Sequence, residues 1–135
     1  MSGVIVVRYL LAHDAPLLAV VPETKIMAGP IPLNTVLPAI EVSDISAIES
    51  GSVAMNETTR LVTNRIQVSV LAKTYAEQKS ILKLVRKALP VSHTTVNGIV
   101  VDCIIPEIRG PDIRDDAATI FSQSRDFMVS FQEAA

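Results

Sequence analysis

The 135-residue chain has no tryptophan, one cysteine, two histidines and few charges, and each scarcity removes a class of function. Cys103 alone cannot close an internal disulfide or supply a thiolate zinc site, which fits a reducing compartment. His13 and His93 lie far apart in sequence, and a catalytic zinc takes three protein ligands, so both are expected at the surface or at strand edges. No Gly-x-Gly-x-x-Gly or Gly-x-x-x-x-Gly-Lys-Ser/Thr string is present, which leaves no backbone cradle for a nucleotide phosphate. Twelve basic and 14 acidic residues give a net charge of -2 and a pI near 5.6, without the broad basic footprint of a protein that grips nucleic acid.

Signals for membranes and export are equally scarce. The longest uncharged stretch, Ile26 to Ile40, holds Pro30, Pro32 and Pro38 and is too short to span a bilayer. The apolar start lacks a cationic lead and contains Arg8, a poor secretion signal. The expected site of synthesis is therefore the cytosol, and Asn56-Glu57-Thr58 reads as an exposed polar loop, not a glycan acceptor.

Apolar residues are abundant by contrast, at 49% of the chain, with mean hydropathy +0.39. The length predicts one domain over residues 1–135. Such a domain buries only about two thirds of the surface its unfolded chain exposes, so some of this apolar excess is expected outside. Self-association would cover it.

Val6, Val7, Leu10 and Leu11 have the spacing of one helix face, and Asp14-Ala15-Pro16 reads as the cap and first turn of a short second helix. Prolines mark 23–38 as an extended arm or loop with a short strand at Lys25 to Ala28. Ala39 to Ile45 alternates as a strand, and Ser46 to Thr59 reads as a mobile loop. Leu61 to Ala72 is the strongest strand, with Ile66, Val68 and Val70 on one face and Gln67 and Ser69 on the other.

Thr74 and Glu77 form a capping box, with Glu77 reaching back to the Thr74 amide, and Pro90 stops the helix that follows. Ile81, Leu82, Val85, Ala88 and Leu89 line one side of it, and Lys79, Lys83, Arg86 and Lys87 the other. Asn97-Gly98 signals a tight hairpin, followed by a strand from Ile99 to Ile105. Pro106 to Asp116, with six charges of mixed sign, reads as a surface loop. A last strand, Thr119 to Phe131, carries all three phenylalanines and is expected to be central. The fold class is α+β: a largely antiparallel sheet with helices packed on one face.

No residue set makes an active site. A Cys103 nucleophile with a His93 base across the hairpin is conceivable. A core position between Val101 and Ile105 suits a lone cysteine better. Asp115 and Asp116 are sequence neighbours, whereas paired catalytic carboxylates converge from separate elements. Gly51 between serines lacks the strand-to-helix setting of a nucleophile elbow. The cationic stripe from Lys79 to Lys87 reads as an ordinary solvated helix face.

Three blocks together resemble the tail terminator, or tail completion, proteins of long-tailed bacteriophages and of phage-derived particles. They are Leu37-Pro38-Ala39-Ile40-Glu41-Val42, then Arg65 to Ala72 running into Thr74-Tyr75-Ala76-Glu77 and Val85 to Leu89, then Ser124-Arg125-Asp126-Phe127 leading into Met128 to Phe131. Their order and spacing over nearly the whole chain carry the likeness. The resemblance implies an α/β sandwich that closes into a ring, typically of six, on the head-proximal end of the tail tube in the virion. Implied partners are further copies of itself, the tail tube protein and a head-tail connector protein, with DNA passing through without specific binding. It also implies no catalytic residue, no cofactor and no metal. A head completion or connector ring, and a small enzyme or ligand-binding domain around Cys103 and His93, are the competing readings.

Overall fold

The computed structural model describes residues 2–32, 34–50, 59–90, 92–117 and 119–134. Helix α1 (Ser2–Ala12) opens the chain despite its β-branched run, because Val6, Val7 and Leu11 are completely buried along one stripe. Tertiary packing here outweighs a weak intrinsic propensity. The Asp14 carboxylate accepts from the Leu17 amide at 3.1 Å and caps α2 (Ala15–Leu18), which has proline in its first turn. A 3₁₀ turn, Glu23–Lys25, leads into β1 (Ile26–Ala28). Arg8 ties α1 to this strand through its Nε, 3.1 Å from the Ile26 carbonyl oxygen.

The remaining elements are β2 (Ala39–Ser50), β3 (Thr59–Ala72), α3 (Tyr75–Ala88), β4 (Thr94–Val96), β5 (Ile99–Arg109), β6 (Ile113–Asp115) and β7 (Ile120–Ala134). The strands form one mixed, curled sheet in the order β1-β2-β3-β7-β5-β4, with β6 beside the start of β7. The β1–β2 pair is parallel and the other pairs are antiparallel. The expected α+β class is therefore observed. Its core joins Val6, Val7 and Leu11 of α1 and Ile81 and Val85 of α3 to Ile66, Val68 and Val70 of β3 and Phe127, Val129 and Phe131 of β7. Strand β7 lies between β3 and β5, so the phenylalanine-bearing segment is central. Asn97 and Gly98, at φ 49° and 80°, make the expected tight turn between β4 and β5.

Four expectations need correction. Strand β2 does not stop at Ile45 but runs to Ser50, and β3 begins at Thr59, so the ends of the expected mobile loop at 46–59 are strand, and its remainder, 51–58, lies outside the described residues. A bulge hid the extension: Asp44 pairs with Ile66 and Ser46 with Arg65, which leaves Ile45 as an extra residue and breaks the alternation. Likewise, 106–116 is not one loop, since β5 continues to Arg109 and β6 follows at Ile113–Asp115, which leaves only 110–112 and Asp116 of it outside strands. Its charges belong to exposed margin strands.

Cys103 does not share the core side with Val101. A register shift between them leaves Asp102 unmatched, so Cys103 pairs with Ser130 and is only half-buried, while Ile104 takes the core position. Finally, the capping box closes one residue early. Thr74 Oγ1 accepts from the Glu77 amide at 3.1 Å, but Glu77 reaches the Lys73 amide, at 3.5 Å.

Candidate functional site

The side chains suspected of chemistry are scattered. Cys103 lies on the helix-free face of the sheet beside Ser130. His93 is exposed before β4 and hydrogen-bonds to no described residue. His13 stacks on Tyr9, with ring centroids 3.9 Å apart, and its Nδ1 is 2.8 Å from the Tyr9 carbonyl oxygen. Asp116 pairs with Arg114, and Asp115 accepts from the Ala117 amide at 3.1 Å. Gly51 lies outside the described residues. Among the described residues no three His, Cys, Asp or Glu side chains converge as metal ligands, and no helix is long and apolar enough to cross a membrane. A cavity of about 610 Å³ lies between 34–37 and the start of β7, and Lys73 is its one ionisable side chain among the described lining residues. It holds no acid and base pair.

The sheet margins are more informative. Strand β1 covers β2 only from Ile40 to Val42, so beyond the bulge the outer edge of β2, through residues 46–50, has no strand partner among the described residues. Ile45 and Ile48, 49% and 67% exposed, project there. On the opposite margin β4 covers β5 only from Ile99 to Val101. The remainder of β5 presents Ile105 and Ile108, and β6 presents Ile113, with Ile108 71% exposed. Unpaired strand edges carrying large apolar side chains are prone to dock on other chains. Two different edges of this kind lie on opposite sides of one sheet.

Between them, the sheet face away from the helices is polar. Asp126 of β7 accepts from Arg65 at 3.1 Å and Gln67 at 3.2 Å, both on β3. Ser69 and Ser124 hydroxyls meet at 2.8 Å, and Ser43 donates to Glu41 at 2.9 Å. These pairs, across strands and along β2, satisfy one another, so the face needs no covering layer.

The predicted cationic stripe is present on α3, with Lys83, Arg86 and Lys87 exposed as a solvated face requires and Lys79 half-buried. Lys79 is held by Asp112 and Gln123, each 2.6 Å from its Nζ, and Gln123 donates onward to the Gly110 carbonyl at 2.7 Å. The Lys79 hydrogen bond holds the Asp112 carboxyl below the usual carboxylate range, and the Tyr75 hydroxyl adds to the effect. Lys83 and Arg86 line one groove with Arg109 and Arg125, residues of two strands that sequence spacing could not connect with the helix.

No protein-family model and no curated protein sequence matches the chain. Solved structures do. A chain from the virion of a native gene transfer agent particle aligns over 94% of this chain and 92% of its own length, at TM-score 0.66 and 16% identity. A second solved chain aligns over 100% of this chain and 98% of its own, at TM-score 0.58 and 11% identity. Likeness at such low identity over both full lengths establishes a shared fold, and it is the fold of a chain found in a virion.

Proposed function

We propose that this protein is a structural component of a phage or phage-derived virion, a tail terminator without enzymatic activity that forms a ring on the head-proximal end of the tail tube. The carrying observation is the fold shared over nearly the full length of both chains with a component of the gene transfer agent virion. The two margins supply a physical means. A ring needs two different complementary surfaces related by a rotation that closes, and the β2 edge with Ile45 and Ile48 differs from the β5–β6 edge with Ile105, Ile108 and Ile113. Burying the first against the second in the next copy removes exposed apolar area and gives free backbone groups partners. Six copies are the ring number taken from the resemblance.

In this reading the ring occupies the surface to which a further tube subunit would add, which ends polymerisation and leaves its other side for a head-tail connector protein. Assembly takes place in the host cytoplasm, no cofactor takes part, and DNA passes through the lumen. The test is mass measurement and negative-stain microscopy of purified protein, followed by tube assembly with and without it. Closed rings and shortened, uniform tubes are expected. A protein that stays monomeric at high concentration and leaves tube length unchanged would refute the reading, and labelling at another position in particles would assign it to head completion instead.

A further inference from the structure

Five of the twelve arginines and lysines of this chain meet a carboxylate: Arg8 faces Glu23, Arg60 Glu49, Arg65 Asp126, Lys79 Asp112 and Arg114 Asp116. A different arrangement occupies one groove between α3 and the far ends of β5 and β7. Its walls are Lys79, Lys83 and Arg86 from the helix, Arg109 from β5, Arg125 from β7, and Leu82, around a cavity of about 270 Å³. Lys83, Arg86, Arg109 and Arg125 form no ion pair with a described residue.

The cost of this grouping is visible in the geometry. Arg109 and Arg125 are direct register partners across the β5–β7 ladder, and like charges in that position repel. The Arg125 Nε is hidden from solvent and has no acceptor. Burial, with repulsion from Arg86 and Arg109, lowers the Arg125 guanidinium below its ordinary pKa. Lys79 already has Asp112, whose charge also reaches Arg109, but the Arg125 donor without an acceptor, in a groove shared with the unpaired Lys83 and Arg86, is what a bound anion would relieve.

We propose that this groove is a binding site for a phosphate-type oxyanion, held by the forks of Arg86, Arg109 and Arg125, with Lys83 at the rim. Phosphate chemistry fits better than an acidic peptide because, among the described residues, Leu82 is the one apolar lining residue and no aromatic side chain lines the groove, whereas peptide docking relies on apolar and aromatic anchors. Guanidinium forks match phosphate oxygens in pairs. From Lys79 to Arg86 the helix rises roughly 10 Å, room for one or two phosphate groups and not for a long tract of backbone. A local site of this size is compatible with an overall charge of -2. The inference does not rest on ring formation, and a monomer would carry the groove equally well.

Either a phosphorylated small molecule or a nucleic-acid backbone could bring the group. Calorimetric titration of the full chain at low salt, with inorganic pyrophosphate in one arm and a short DNA duplex in the other, separates them. Pyrophosphate should bind, raise Tm, and bind about tenfold or more weakly to R86Q/R109Q, while K87Q, which removes one charge from the same helix outside the groove, should change affinity by less than about twofold. Without ligand, R86Q/R109Q should melt at the same or a higher temperature, since it relieves repulsion, whereas a merely structural role for these arginines would lower it. The single variant R86Q, on the exposed rim, gives the same direction if the pair expresses poorly. A duplex that competes with pyrophosphate identifies nucleic acid as the source; pyrophosphate binding without duplex binding identifies a small phosphorylated molecule. The proposal is overturned if neither probe binds, if K87Q loses as much affinity as R86Q/R109Q, or if hexaglutamate binds more tightly than pyrophosphate.

Discussion

The two faces of the sheet are built from the same strands by opposite means. On the helix-covered face β3 contributes Val62, Ile66, Val68 and Val70, and β7 contributes Phe127, Val129 and Phe131, all nearly or completely buried. On the other face the same strands contribute Arg65, Gln67, Ser69, Ser124 and Asp126, which satisfy one another by hydrogen bonds. Stability is concentrated on the first face because hydrophobic burial scales with area removed from water, while exchanging water for a half-exposed partner gains little. The second face is free to be a surface.

Neighbouring residues test that contrast most severely. Phe127→Ala should cost about 3 to 5 kcal/mol, since a fully buried ring in the central strand leaves a cavity that both helices must collapse to fill. Asp126→Ala, one residue away on the other face, should cost about 1 kcal/mol, because Arg65 remains a third exposed and can turn its guanidinium to water. Chemical denaturation of the two variants compares them directly, and equal losses would show that the open face carries as much of the stability as the core.

Two polar strand residues, Asn64 and Gln123, are buried on the covered face. Asn64 is on the covered face of β3 and almost completely buried, and its Nδ2 donates to Asp44 Oδ1 at 2.9 Å and to the Ser46 carbonyl at 2.8 Å, so it clamps the bulge in β2. Gly3 of α1 fits against the same side chain; a Cβ there would lie 2.0 Å from Asn64 Oδ1. Gly3→Ala is therefore expected to destabilise by about 2 kcal/mol even though alanine favours helix. In an Asn64→Ala background the same change should become neutral or favourable, and a double-mutant cycle measures the difference. Absence of coupling would mean that α1 is not seated on the bulge.

These cases explain what could be read in advance. Elements with an unbroken period were legible: the Asp14 and Thr74 caps, the amphipathic α3, the Asn97-Gly98 turn and the alternation of β3 and β7. The strand stretches misread as loop, 46–50 and then 107–109 with 113–115, follow places where an extra residue enters a strand, and one inserted residue reverses every side chain beyond it. Cys103 was misplaced for that same reason. Asn64 looked like an ordinary polar residue, since its partners Asp44 and Ser46 are some twenty positions away. The cationic groove was half visible as the Lys79, Lys83 and Arg86 spacing, but Arg109 and Arg125 join it only through strand pairing.

The smallest expected change in stability falls at the margins, and it separates surface kept for folding from surface kept for other copies. Ile48 is 67% exposed beyond the bulge, so Ile48→Lys removes little buried area and should alter unfolding free energy by less than about 0.5 kcal/mol. If the β2 edge meets the β5–β6 edge of a neighbour, the same lysine would be driven against Ile105 and Ile108 of the next copy, where an unpaired charge is costly to bury. Sedimentation should then show loss of the oligomer with Tm of the isolated subunit unchanged. Ile108→Lys, on the opposite margin, should produce the same loss, and mixing the two variants should cap growth at pairs joined through their one intact edge on each side. Rings that survive both substitutions would place the contact between copies elsewhere on the molecule.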